Sequence, residues 1–154
     1  MSQYFQSLLF TPGYDRICLR ELTGQVEQMV EGTHAREAIR LVDRLLVKDL
    51  QVENGLQDAA HLSSADRDRV LAGIFQRTYG DKIASTMNCS ACGEPFDLDF
   101  SLMALVSHHY GHGQAYPAMP DTEGQWTTPE GLTFRLPTGK DELAVLSMKA
   151  EDAA

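Results

Sequence analysis

Apolar residues recur with a helical period in the first half of the chain. Between residues 33 and 50 they fall at i, i+3, i+4, i+7 and i+8, which places one apolar stripe along a helix. The stripe consists of Ala38, Leu41, Val42, Leu45 and Leu46. Thr33 precedes this stripe, and it is the predicted N-cap of the helix.

A second helical pattern occupies residues 62–83. Ser63 and Asp66 have the spacing of a capping box at the start of a helix. Gly80 stands where a left-handed residue commonly ends a helix. The apolar residues between these signals share one face: Val70, Leu71, Ile74 and Phe75.

After residue 81 the pattern alternates with a period of two. Phe96, Leu98 and Phe100 alternate with acidic residues, which predicts a strand. The stretch "KIASTM" before the cysteines predicts a second strand, so that the two are joined at a cysteine turn. Earlier in the chain, "RICLREL" predicts a short strand that buries Ile17 and Leu19.

The last part of the chain combines a loop, a strand and a helix. Residues 110–131 hold four Gly and three Pro, which is typical of a loop. The stretch "GLTFRLPTG" predicts a strand and a turn, and Thr138 with Asp141 predicts a capping box that opens a last helix.

These patterns predict an α+β fold. We expect a helical N-terminal half, a small β-rich, zinc-ribbon-like hairpin region and a C-terminal helix. Residues 1–80 would form a mainly helical module with an N-terminal arm and a short strand. Residues 81–154 would hold the CxxC hairpin region, the Gly/Pro-rich loop and the terminal helix.

Composition and charge restrict the class of partner. The chain has 154 residues, 43% of them hydrophobic, and a formal charge of -9 from 22 acidic and 13 basic residues. Nucleic acid is not an expected partner, because phosphate binding relies on clustered Lys and Arg. We also expect no signal peptide, no membrane span and, with three cysteines, a reducing cytoplasmic environment.

A candidate metal site begins at the cysteine pair. Cys89 and Cys92 have the spacing of a zinc knuckle, fifteen residues separate Cys92 from His108, and three separate His108 from His112. Four such ligands would form a closed, structural zinc site without catalysis. Two alternatives stay open, namely an emptied knuckle that folds as a β-turn and a redox-active dithiol.

Other residue patterns point to protein contacts rather than to chemistry. No acid/base pair, nucleophile triad or Gly-rich cofactor loop is recognisable, so we expect no catalytic or cofactor-binding residues. Asp66 and Arg67 lie in a charged run that is either a solvated helix face or a partner contact. Trp126 is either an interface anchor or a core residue, and Arg135 is a further candidate contact.

Several stretches, in order, resemble the T-even-phage-like baseplate hub assembly chaperone family of contractile phage tails and related contractile injection systems. They are "LRELTGQVE" at 19–27, "LSSADRDRVLAGIFQRTYGDKI" at 62–83, "CSACGEPFDLDFSL" at 89–102 and "TFRLPTGKDEL" at 133–143. Two features depart from the family pattern: Ser90 stands where Pro is expected, and the His108/His112 pair is not part of it.

The resemblance implies a non-enzymatic assembly chaperone or minor structural component of a contractile tail-like particle. It would bind hub, spike or tape-measure proteins, in the cytoplasm during assembly or also in the finished particle. An alternative is a stand-alone structural-zinc adaptor for a cytoplasmic partner protein, which predicts one zinc ion per chain. A third hypothesis, a small thiol enzyme, requires a cysteine of low pKa.

Overall fold

A computed structural model describes residues 2–48, 55–110, 120–121 and 123–148. Its described elements are β1 (Gln3–Ser7), β2 (Arg16–Arg20), α1 (Gly24–Glu27), α2 (Ala35–Leu45), a 3-10 helix η1 (Ala59–His61), α3 (Ser64–Tyr79), β3 (Lys82–Asn88), β4 (Pro95–Ser101), α4 (Leu102–Tyr110), β5 (Gln125–Thr127), β6 (Thr133–Arg135) and α5 (Gly139–Ser147). The mixed α+β class is thereby confirmed.

The strands form antiparallel pairs rather than one larger sheet. The described strands pair as β1 with β2, β3 with β4, and β5 with β6. The predicted short strand corresponds to β2, but its partner β1 lies where only an N-terminal arm was expected, so the predicted layout of a helical N-terminal half is incomplete.

The chain divides into two compact units. Unit 1 comprises residues 1–71 and 115–154, and unit 2 comprises residues 72–114. The predicted boundary between residues 80 and 81 does not coincide with this division. The reason is that α5 packs on α2 and η1, so the last part of the chain belongs with the first part.

The core of unit 1 is built from strand β2 and helix α2. Ile17 and Leu19 of β2 are buried, as the alternation of "RICLREL" predicts. Ile39, Val42 and Leu45 form the buried face of α2. The predicted stripe is present in part, since Ala38 and Leu41 are only half-buried and Ile39 was not predicted. The cap also differs: His34 occupies the N-cap position instead of Thr33, and no side chain caps the helix there.

Helix α3 begins at the predicted place. Ser63 Oγ accepts a hydrogen bond from the backbone N–H of Asp66 over 3.1 Å, which is one half of the expected capping box. The other half is absent, because the N–H of Ser63 donates to Thr11 Oγ1 instead. At the other end, Gly80 has a φ of 90° and its N–H bonds to Gln76 O, as expected of a helix-ending glycine.

Unit 2 is small and has little interior. It holds the β3–β4 hairpin, α4 and the second half of α3. Among the described residues of this unit, Ile74 is the one buried apolar side chain. The predicted hairpin with a cysteine turn is present, and its register places Ile83 opposite Phe100 and Met87 opposite Phe96.

None of the described helices is both long enough and apolar enough to cross a membrane.

Candidate interaction surfaces and metal-binding turn

Asp66 lies at the centre of a buried hydrogen-bond cluster. Its carboxylate accepts bonds from the N–H groups of Leu9 and Phe10 at 2.9 and 2.8 Å and from Thr11 Oγ1 at 2.8 Å. Arg69 completes its surroundings with an ion pair of 3.0 Å. Its side chain is 0% exposed, so in this conformation it attaches the segment 9–11 to α3 and presents no atom to a partner.

Arg67, the next residue, joins α3 to α5. Its guanidinium contacts the carboxylates of Glu142 on α5 and Asp68 on its own helix. Burial opposes the charged form of this side chain, but the two carboxylates outweigh that effect and raise the pKa of Arg67. Arg67 therefore also makes a contact within unit 1.

Trp126 is a core residue of unit 1. Its exposed fraction is 8%, and its ring packs near those of Phe10 and Phe134, with centroid distances of 6.3 and 6.5 Å. Of the two interpretations of this residue, core packing is the one that the geometry matches.

Arg135 remains largely exposed but is already bound. It makes two bonds to Asp141, of 2.6 and 2.7 Å, and the Asp141 carboxylate also accepts from Thr138 N and Thr138 Oγ1. The hydrogen bond from Arg135, followed by those from Thr138, holds the pKa of Asp141 well below its usual range. The predicted capping box at α5 is confirmed.

The four stretches of the family resemblance thus have structural roles. Leu19 is fully buried, and Thr23 accepts from Val26 N at the start of α1. The second and fourth stretches pair with each other, since Ser63 bridges to Thr138 and Gly139 N bonds to Leu62 O. The third forms the cysteine turn. In the second and fourth stretches the predicted partner-binding residues make contacts inside unit 1.

A different surface is open to a partner, namely one face of the β3–β4 hairpin. Cross-strand register puts three pairs on this apolar face: Ile83 with Phe100, Ser85 with Leu98, and Met87 with Phe96. The exposed fractions of Met87, Phe96 and Leu98 are 48%, 46% and 38%. The opposite face carries Asp97 and Asp99.

An open apolar groove lies on unit 1 between the start of α2 and α5. Its volume is about 390 Å³, and Ala35, Pro137, Val145 and Leu146 are among the residues that line it. Val145 and Leu146 of α5 are both exposed, and the sequence analysis did not single out this surface.

The cysteine turn has the geometry of a thiol knuckle. Cys89 N donates to Glu94 O and Gly93 N donates to Cys89 O, each over 2.8 Å. The backbone N–H of Cys92, then that of Ala91, then the Cys92 thiol hydrogen-bond to the Cys89 sulfur and lower the pKa of Cys89. The two sulfur atoms therefore converge.

His108 is not brought to these sulfurs. It lies on α4, which starts at the base of the hairpin, where Leu102 N bonds to Asp81 O. The strands rise about 20 Å from that base to the turn, and His108 lies only about 9 Å along α4 from its first residue. Within the described residues, no three Cys, His, Asp or Glu side chains are grouped for a metal ion. His112 lies outside them.

Sequence reasoning missed two features of these sites. Thr11 contacts Asp66 from 55 residues away, and Glu142 contacts Arg67 from 75 residues away. No local sequence pattern reveals such pairings. The alternation at Phe96–Phe100 did reveal an apolar face, but not that it is left uncovered.

The chain was compared with protein-family models, curated proteins and solved structures, and none of them matches it.

Proposed function

We propose that this chain is a non-enzymatic assembly chaperone or minor structural component of a contractile tail-like particle. Its partners would be baseplate hub, spike or tape-measure proteins. The observation that carries the proposal is the exposed apolar face of the β3–β4 hairpin, Met87, Phe96 and Leu98 above all. An uncovered apolar patch on a small protein commonly marks a binding surface.

The ordered resemblance to baseplate hub assembly chaperones gives the proposal its biological setting. The stretches that carry it have definable roles: two of them hold α3 against α5, and a third forms the hairpin. A protein that keeps these stretches keeps both the packing of α3 on α5 and the hairpin that carries the apolar face. The resemblance therefore supports a shared way of building that surface.

The mechanism is the temporary covering of apolar surface on the partner. A two-stranded hairpin is marginally stable by itself, and a partner that packs on its apolar face supplies the missing layer. In exchange, the partner's own apolar segment is kept from associating too early. The charge of -9 favours approach to basic partner segments.

The test is a tagged pull-down from the native producing cells, with captured proteins identified and quantified by mass spectrometry. We expect hub, spike or tape-measure proteins to be enriched with the unmodified chain. The combined change Phe96→Ser and Leu98→Ser should reduce their recovery at least tenfold. Absence of these proteins from the capture, in a lysate where they are abundant, would refute the proposal.

A matched control is available on the same strand. Asp97→Asn and Asp99→Asn alter the opposite face of β4 and should leave recovery unchanged. Equal loss in both variants would show a folding effect rather than a binding face. The amount of this chain in purified particles then separates a transient chaperone from a retained component.

A further inference from the structure

The turn at Cys89–Gly93 offers half of a metal site. Its sulfurs converge because two backbone hydrogen bonds close the turn and the N–H groups of Ala91 and Cys92 point at the Cys89 sulfur. Gly93 permits this closure with a φ of 76°, a conformation that other residues rarely adopt. Two cysteines held at this spacing supply two of the four ligands of a tetrahedral zinc ion.

Within the described residues, no other Cys, His, Asp or Glu side chain is grouped with the two cysteines to complete a metal site. Even a helix α4 that ran straight back along the hairpin would leave His108 about 10 Å short of the turn, by the rise of strand and helix. Glu94 is the one ionised side chain next to the cysteines in the segment 88–95. A second copy of the turn would supply two further thiolates, the soft donors that match those already present.

We propose that Cys89 and Cys92 from two copies of the chain bind one zinc ion, so that the ion joins two hairpin tips through four thiolates. Four thiols bind one Zn²⁺ and release four protons, with no change of oxidation state. This proposal does not depend on the tail-assembly function, because it concerns the purified chain alone.

The surroundings of the turn suit a second copy. Cys92 is exposed at the tip, so the partner's turn can approach it. Met87 and Phe96, the second cross-strand pair from the turn, are also exposed, and in a two-fold arrangement both copies would place this pair near the ion. Apolar neighbours exclude water from the zinc–sulfur bonds. Electrostatic repulsion between the two tips is small, because Glu94 is the one carboxylate that each copy has in the segment 88–95.

The experiment measures zinc content and molecular mass of the full chain together. The reduced protein is freed of metal with a chelator, titrated with zinc and studied by light scattering and elemental analysis. We expect half a zinc ion per chain, a doubling of mass on zinc addition and its reversal by chelator. Cobalt added instead should show the absorption of a tetrahedral site with four thiolates, saturating at the same ratio.

Single substitutions identify the ligands. Cys89→Ser and Cys92→Ser should each abolish the zinc-dependent doubling, while Cys18→Ser, in strand β2, should retain it. His108→Ala should also retain it. Circular dichroism checks that each variant is folded, and if the two hairpin variants are not, the cobalt ratio of the unmodified chain decides.

Three results would overturn the shared site. One zinc ion per chain in a monomer, lost in His108→Ala, would show a self-contained module of the adaptor type. Absence of zinc or cobalt binding would show an emptied knuckle. A doubling of mass that is independent of metal would show an interface without a bridging ion.

Discussion

Asp66 shows how a residue with the features of a surface charge can act as a structural anchor. Its carboxylate is fully buried and is satisfied by two backbone N–H groups, one hydroxyl and one guanidinium. A buried carboxylate is tolerated only when its hydrogen-bonding capacity is met in this way. The same bonds hold the segment 9–11 in place, so the Asp66 carboxylate orders a stretch of backbone that forms neither helix nor strand.

We expect Asp66→Ala to lower the free energy of unfolding by about 3–5 kcal/mol, because it leaves Arg69 and three donors without their acceptor. Urea denaturation followed by circular dichroism measures the loss. Asp68→Ala, two residues along the same helix, removes a largely exposed carboxylate and leaves its partner Arg67 paired with Glu142, so it should cost no more than about 1 kcal/mol. Equal effects of the two changes would contradict the anchor role.

A second residue-scale prediction concerns Asp141. Its folded-state pKa is lowered, chiefly by Arg135, so its contribution to stability is complete above the unfolded value of about 3.9 and is lost as pH falls towards the folded value. Asp141→Asn keeps an acceptor for Thr138 but cannot be protonated. As the pH is lowered below about 4, we expect the variant to lose less stability than the unmodified chain. Midpoints of urea denaturation at several pH values measure this. Parallel pH profiles would refute this role.

At the scale of elements, the hairpin turn depends on glycine at one position. Gly93 has a φ of 76° and open space around its α-carbon, so Gly93→Ala introduces backbone strain of about 1–2 kcal/mol and no steric clash. We expect faster amide hydrogen exchange throughout β3 and β4 in this variant. Gly24→Ala is the control: it has equal space and no positive φ, and exchange in the hairpin should stay as it was.

Helices and strands with strong local signals were predictable from sequence. The stripe of α2, the start of α3, the strands β3 and β4 and the capping box at α5 lie where periodicity and cap residues place them. Strand β1 was read only as an extended arm, because its residues Gln3–Ser7 show no buried alternation. His108 was predicted as a ligand from its spacing along the chain, whereas a metal site needs ligands that are close in space. The hairpin is seven residue pairs long, and this length separates its base, where α4 starts, from the cysteine turn.

The candidate contact residues illustrate the same limit. Asp66 and Trp126 were identified as important from residue type, but whether they face a partner or the core depends on segments 55 or more residues distant. Local sequence cannot provide such information. The apolar face at Phe96 and Leu98 was visible in the alternation, since both faces of a strand are encoded within a few residues.

At the scale of the whole molecule, the two units differ in how much they bury. Unit 1 contains nearly all the buried apolar side chains among the described residues, whereas unit 2 contains Ile74. We expect amides of β3 and β4 to exchange faster than those of α2, because few buried contacts oppose local opening. Hydrogen exchange followed by mass spectrometry measures this directly. Uniform protection across both units would contradict it.

The pairing of residues 62–64 with residues 137–139 also has a consequence for the order of events during synthesis. Ser64 and Pro137 are 73 residues apart, and the whole of unit 2 is made between them. At translation rates of 5–20 residues per second, the first partner waits roughly 4–15 s for the second. The hairpin is local and can form within that interval. A nascent chain can therefore present its apolar face to a partner before its own larger unit has closed.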